Sequence, residues 1–304
     1  MLPIKIELPD GFLEEEVRCG YTVSAEMKKL WAVELDLLVE FDRVCKKHGL
    51  TYFADGGTLL GTIRHKGFIP WDDDVDLVMT RSEYEKLVKI ADKEFQHPYF
   101  FQTTESDPGL VMGGSRLRNS DTTLISDFDN RRPYENKGIF IDLYVLDNVP
   151  DDGRKISAIR KTLKVYWRIL RYAAYYESYF HSGRKMAFKE KLLGKFSLGL
   201  KHLWGMKGLC RRYESYCTQW NSTDTDLIAS LKSNRGYVLL RKEWYSETRP
   251  AAFEGIEIPI PNGYKEFLTE MYGDDYMVMK RQPSTHRPLK FNAEVPYREY
   301  KKET

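Results

Sequence analysis

Residues 72–76 read Asp-Asp-Asp-Val-Asp. Four carboxylates in five positions repel one another, so a fold that holds them together has to set something cationic among them. The flanking residues constrain the backbone. Val75, Leu77 and Met79 alternate with Asp74, Asp76 and Val78, the period of a strand with one face toward a core. That period predicts a strand beginning at Asp74. It puts the Asp74 and Asp76 side chains on one face, Cα atoms about 6.6 Å apart at a rise of about 3.3 Å per residue. Two carboxylates so spaced suit one or two hard divalent ions, which in turn grip phosphate oxygens.

A calcium loop competes for the same residues. Asp72, Asp74 and Asp76 match its first three liganding positions and Glu83 its twelfth. The sixth position, where such a loop turns sharply on a glycine, holds Leu77, and the apolar alternation favours extended chain. A solvated acidic run is the bland reading.

A chain of 304 residues with 42% hydrophobic and 13% aromatic content can bury a sizeable core and is not of the disordered class. The sequence has no long uncharged apolar run of the kind that spans a bilayer, and Met1 to Asp10 lacks the basic-then-apolar order of a signal peptide. Cys19, Cys45, Cys210 and Cys217 have no paired metal spacing. A cytoplasmic chain with reduced thiols is expected, lying peripherally on the inner membrane face if it touches a membrane. The net charge of +2 is unevenly spread. Residues 154–212 hold 16 Lys and Arg against Glu177 and Glu190, a net of +14, which leaves −12 for the remainder.

Along the chain, residues 24–49 predict an amphipathic helix capped by Ser24 and ended by Gly49. A short strand at 50–54 is broken by Asp55-Gly56-Gly57, and a helical turn follows at 58–63. After the acidic strand comes a helix over 82–95, with Ser82 as cap and Glu85 three residues on. A second strand over 138–146 turns Ile139, Ile141, Leu143 and Val145 one way and Phe140, Asp142 and Tyr144 the other. A carboxylate in so apolar a stretch needs a partner or a ligand. Beyond the turn at 150–153 the basic stretch is helical and rich in Tyr and Trp. A Pro-bounded strand or hairpin near 255–261 and a helix near 263–272 follow.

Gly56-Gly57-Thr58 lies upstream of the acidic run. Glycines let backbone approach a phosphate, and the amides opening the next helix can donate to it. By itself this is a common turn. Followed by Asp-x-Asp on one strand and a third Asp on another, it is the signature of the nucleotidyltransferase fold. The stretch Tyr52-Phe53-Ala54-Asp55-Gly56-Gly57-Thr58-Leu59-Leu60-Gly61-Thr62-Ile63-Arg64-His65-Lys66-Gly67-Phe68-Ile69-Pro70-Trp71-Asp72-Asp73-Asp74-Val75-Asp76 resembles the hallmark of the LicD family, phosphotransferases that use cytidine diphosphate esters and are related to fukutin and fukutin-related protein. The similarity takes in Glu34 to Leu38, Arg81 to Lys86, Arg116 to Arg118 leading to Thr123, and Phe140 to Tyr144, with a fainter echo at Tyr272 to Met277, Arg281 and His286.

The resemblance implies a set of roles. Asp72, Asp74, Asp76 and Asp142 would hold one or two Mg²⁺ ions, with Mn²⁺ as the alternative, and Asp74, Asp76 and Asp142 would be catalytic. Gly56, Gly57 and Thr58 would hold the donor phosphates, joined by the cations Arg64, His65, Arg116, Arg118, Arg281 and His286. The expected reaction moves phosphocholine, or another phospho-alcohol, from its cytidine diphosphate ester to a sugar hydroxyl of a cell-surface glycopolymer precursor such as teichoic acid or lipopolysaccharide, and releases cytidine monophosphate. Nucleotidyl transfer to RNA or a small molecule is the alternative chemistry, and a non-catalytic binding module the alternative class. Trp71 reads as core packing.

The expected partners are a cytidine diphosphate-alcohol donor, a lipid-linked or oligosaccharide acceptor and an anionic membrane surface, with no nucleic acid. The basic stretch reads first as a solvated helical face, next as a lipid-facing one, since clustered Lys and Arg with Tyr and Trp suit headgroups, and last as a nucleic-acid-binding one. The expected architecture is α/β (α+β): a nucleotidyltransferase-like mixed sheet with flanking helices at 1–150, a basic helical addition at 151–215, and a C-terminal part at 216–304 completing the core and donor site.

Overall fold

The computed structural model describes residues 1–300 apart from 109, 112–113, 126–134, 182–185, 233–237 and 281–289. After a small antiparallel ribbon, β1 (Glu16–Arg18) with β2 (Tyr21–Val23), helix α1 runs from Ala25 to His48. The Ser24 hydroxyl accepts from the Met27 amide at 3.2 Å, and Gly49 ends the helix in the left-handed region at φ 61°. Both ends agree with the sequence, because cap and stop are local chemistry.

The central sheet is mixed. It is built around β8 (Ile139–Val149), which pairs in parallel with β4 (Asp76–Thr80) and antiparallel with β6 (Ser115–Asn119). Beyond β4 lies β3 (Phe53–Ala54), and beyond β6 lies β5 (Tyr99–Gln102). The far end of β8 pairs with β9 (Leu227–Ala229), which pairs with β10 (Leu240–Arg241). Ile139, Ile141, Leu143 and Val145 are buried while Phe140, Asp142 and Tyr144 are half-buried, so the alternation reads as expected. Two further helices flank the sheet early in the chain, α2 (Gly56–His65) and α3 (Arg81–Glu94). The cap of α3 is Thr80, with extended backbone at ψ 155°, and not Ser82, which lies inside the first turn with its hydroxyl 3.2 Å from that of Thr80.

The basic stretch forms a hairpin of long helices, α4 (Gly153–His181) and α5 (Phe188–Thr218). It has its own apolar core of Ile159, Leu163, Leu170, Leu209, Tyr213 and Cys217, joined to the sheet through Val149 and Ala229. The chain then returns to the main core. The hairpin of β11 (Thr248–Phe253) and β12 (Ile256–Pro261) buries Phe253, Ile258 and Ile260 there, and α6 (Tyr264–Tyr272) adds Phe267 and Leu268. Near the C-terminus β13 (Lys290–Asn292) pairs with β7 (Thr123–Ile125). All four cysteines are free.

One buried network ties α3, the sheet and α5 together. Arg81 donates to both oxygens of Asp147, at 2.7 and 2.8 Å, and also to Glu214. Asn221 reaches Asp147 at 2.7 Å and Lys232 reaches Glu214 at 2.6 Å. Asp147 is fully buried, so the paired guanidinium offsets a desolvation cost of several kcal/mol per charge, about the magnitude usual for buried ions.

Candidate active site

Strand β4 begins at Asp76, not at Asp74. The ladder can form only where it has partners. The Asp142 amide donates to Val75 O at 2.9 Å, and the Asp55 amide to Asp76 O at 3.0 Å. Residues 72–74 run past the end of β3 and leave the ladder although β8 itself extends back to Ile139, and they are held as a loop. The Asp72 amide donates to Ile69 O, and the Trp31 indole donates to Asp72 O at 2.9 Å. The strand expected from Asp74 is therefore shortened to start at Asp76, while Asp74 remains the leading charge acting on Asp76. Asp76 gains a different companion: it pairs in register with Asp142 across the parallel β4–β8 ladder. The loop gathers Asp72, Asp73 and Asp74 so that one carboxylate oxygen of each lies within 4.8 Å of the others.

The glycine turn lies against these carboxylates. Gly56 has φ 48°, and a Cβ there would come to 3.3 Å from Asp76 Oδ2; a Cβ on Gly57 would come to 2.6 Å from Asp72 Oδ2. Only residues without side chains leave the acids where they are. Thr58 is buried, and its hydroxyl accepts from the Asp76 amide at 2.8 Å, fixing the first residue of β4 to α2.

Electrostatically, carboxylates crowd one another at Asp76. Asp76 Oδ1 is buried with no hydrogen-bond partner. Burial, together with the charges of Asp74, Asp142, Asp55 and Asp72, holds the Asp76 carboxyl well above the usual carboxylate range. Burial pushes Asp55 up to about 6. The Tyr144 hydroxyl is raised by Asp142 and burial, and the Tyr272 hydroxyl by burial and by Asp55, Asp72, Asp76 and Asp74. Tyr272, at the end of α6, thus brings the C-terminal part within electrostatic reach of the acids. An orphaned buried oxygen in a nest of hard oxygen donors is what a divalent cation would satisfy, so these residues fit such an ion.

Glu34 carries no role in the sequence reading. It is 1% exposed on α1, and its Oε2 has no partner. Burial and then Asp74, Asp73, Asp72 and Asp76 raise its carboxyl well above the usual range. The signal was in the helix period: Leu30, Glu34, Leu37, Leu38 and Phe41 fall at core spacing, and a carboxylate on that stripe has to answer to something buried.

The cations expected at the donor phosphates part company. Arg116, in register with Asp142 on β6, donates to Asp142 Oδ1 at 2.8 Å and stacks over Phe140 at 4.0 Å. Arg118 is buried, donating to Gln102 at 2.5 Å and to Gly138 O at 2.6 Å, which braces the sheet edge. Arg64 donates to Tyr276 O at 3.0 Å and to His65 Nε2 at 2.9 Å, fastening the segment after α6 to the end of α2. Burial and the nearby Arg64 and Arg18 lower His65 to about 4, leaving the ring neutral. Arg281 and His286 lie outside the described residues. Trp71 packs edge-on to Tyr21 at 5.9 Å against the main core, as its reading requires.

Comparison with known proteins places the same residues in context. The model of the LicD/FKTN/FKRP nucleotidyltransferase domain matches residues 49–148, from the glycine turn through Asp142. The lipopolysaccharide cholinephosphotransferase LicD of Haemophilus influenzae is 30% identical over 257 residues, 82% of this chain and 92% of that protein. An uncharacterised protein of Rickettsia prowazekii is 27% identical over 115 residues, 38% of this chain and 39% of its own length. One from Rickettsia typhi is 42% identical over 41 residues, 14% of this chain and 13% of that protein.

Proposed function

The chain belongs to the LicD family, and from that premise we propose that it transfers phosphocholine, or a similar phospho-alcohol, from a cytidine diphosphate ester to a sugar hydroxyl of a cell-surface glycopolymer precursor such as lipopolysaccharide or teichoic acid. It is an enzyme, a phosphotransferase by its homology to the Haemophilus protein. The observation that carries the reading is the orphaned Asp76 Oδ1, facing the charges of Asp74, Asp142 and Asp72 beside the glycine turn.

Asp72, Asp74, Asp76 and Asp142 would hold Mg²⁺, or Mn²⁺ in its place. The ion, when bound, neutralises the diphosphate and stabilises the charge on the leaving phosphate. The amides opening α2 at Gly56 and Gly57 supply donors to a phosphate oxygen, at the positive end of the helix. Arg116 adds a fixed cation beside Asp142. The acceptor hydroxyl attacks the phosphorus that bears choline, the bond to cytidine monophosphate breaks, and Asp142 takes the hydroxyl proton. Such transfer needs positioning and charge stabilisation more than covalent chemistry. Neutral His65 and the tied Arg64 would hold the wall of the donor site.

Purified protein incubated with cytidine diphosphate-choline, Mg²⁺ and a lipid-linked oligosaccharide should release cytidine monophosphate, with Asp76→Asn slower by about a thousandfold, the scale of losing one preorganised electrostatic element. No release, or equal release by the variant, overturns the proposal. Pyrophosphate release from a nucleoside triphosphate would move the reading to nucleotidyl transfer.

A further inference from the structure

The first limb of α5 presents a face that neither the sheet nor α4 covers. Phe188, Leu192, Phe196 and Leu203 are 80, 61, 56 and 69% exposed. At 3.6 residues per turn they fall within about 80° of arc, a continuous outward stripe. The opposite side of the limb is the packed one, where Gly194 and Ser197 are buried and the Tyr176 ring of α4 leaves no room for a side chain at 194. An apolar stripe turned away from the core is not what stabilises this hairpin. Its residues need another partner.

Charge identifies that partner. Lys191 and Lys195 border the stripe on one side and Lys189 on the other, all exposed. Between 186 and 204 the single acid is Glu190, and it is turned inward: one oxygen accepts from the Ala187 amide at 3.0 Å and the other from the Tyr172 hydroxyl of α4 at 3.2 Å. The outward charge of the limb is therefore wholly positive. Gly205, at φ 66°, breaks the helix axis just past Trp204. The second limb, with Leu209, Cys210, Tyr213 and Cys217 buried, lies in the hairpin core, whereas the first limb packs on α4 by one side and turns its apolar stripe outward.

We propose that the outer face of residues 188–204 docks on an anionic lipid surface, the four apolar side chains entering the headgroup boundary and the lysines pairing with lipid phosphates. No helix among the described residues is long and apolar enough to cross a membrane, which fits a helix lying in the interface plane. The inference stands on this surface alone and is independent of the donor chemistry.

The test is co-sedimentation of the full chain with vesicles of phosphatidylcholine alone and with about one third phosphatidylglycerol, in low and in 0.5 M salt, a range over which surface attraction is largely screened. Wild type should pellet with the anionic vesicles, less so in high salt, and stay in solution with neutral ones. The double variant Leu192→Glu with Phe196→Glu should bind about a hundredfold more weakly while keeping its melting temperature, since both positions are exposed. Wild type remaining in solution with anionic vesicles overturns the proposal. So does undiminished binding by the variant. A dimer in light scattering that the variant converts to monomer would reassign the stripe to contact between copies of the chain.

Discussion

Glu34 and Asp36 are two residues apart on α1, both 1% exposed, and they differ in what surrounds them. Asp36 accepts from the Lys5 and Ile6 amides at 2.7 and 3.1 Å and from the Tyr99 hydroxyl at 2.8 Å. It pins the N-terminal segment and is structurally complete. Glu34 lacks a partner at Oε2 and feels four aspartates. Its negative charge contributes to the pull on any cation bound nearby. Glu34→Gln should raise the metal-free melting temperature at neutral pH, because the raised carboxyl costs stability there. It should also weaken Mg²⁺ binding by at least about tenfold, since a unit charge at about 4 Å and an effective dielectric constant near 20 is worth about 4 kcal/mol. Calorimetric titration measures this, and unchanged affinity would exclude Glu34 from the site. Asp55 offers a second check, through pH. Its folded value of about 6 exceeds the unfolded value near 4, so between these the folded state holds more protons than the unfolded state. Stability from this residue therefore falls as pH rises through the window, by about 2 to 3 kcal/mol in full. Asp55→Asn keeps a residue that caps helices well and does not titrate. In urea unfolding with chelator present, the variant should gain on wild type between pH 4 and pH 7. A pH-independent difference would mean that Asp55 ionises normally.

At the scale of elements, two glycines of α2 separate stability from positioning. A Cβ at Gly61 would meet the Gly67 carbonyl oxygen at 2.5 Å, a backbone atom that cannot step aside, whereas at Gly57 it would meet only the mobile end of Asp72. Gly61→Ala should cost about 1 to 3 kcal/mol, as overpacking does, and Gly57→Ala much less while still displacing Asp72 and lowering turnover. Equal destabilisation by the two in thermal melts would contradict the geometry. The same elements show what the sequence makes legible. α1, β8 and β12 follow from caps, alternation and bounding prolines, all of which act within a few positions. The start of β4 does not. It depends on where β3 ends and where Asp142 comes into register, both long-range facts. The period alone extended the strand to Asp74. Likewise Arg116 and Arg118 are indistinguishable as a spaced pair of basic residues. Only the strand register reveals that one reaches Asp142 and the other is tied to Gln102.

For the whole molecule, charge is divided between a basic helical hairpin and an acidic remainder whose densest part is the cluster around Asp76. A ligand that binds the folded state alone adds RT ln(1 + [L]/Kd), about 2.7 kcal/mol at a hundredfold excess over Kd. In a chain of this length that corresponds to a rise of about 5 °C in melting temperature. The size of the rise should itself depend on pH. Asp76 and Glu34 have folded values raised above their unfolded ones, so without a cation their contribution to stability falls as pH rises above about 4. A bound cation relieves that repulsion, and the relief grows as more of these carboxyls would otherwise ionise. Saturating MgCl₂ should therefore raise the melting temperature more at pH 7.5 than at pH 5, and chelator should reverse the rise. Asp76→Asn should remove most of the effect, while Asp36→Asn should be destabilised yet retain its response to Mg²⁺. If MgCl₂ shifts wild type and Asp76→Asn equally, the cation binds elsewhere and the buried oxygen of Asp76 is satisfied in another way.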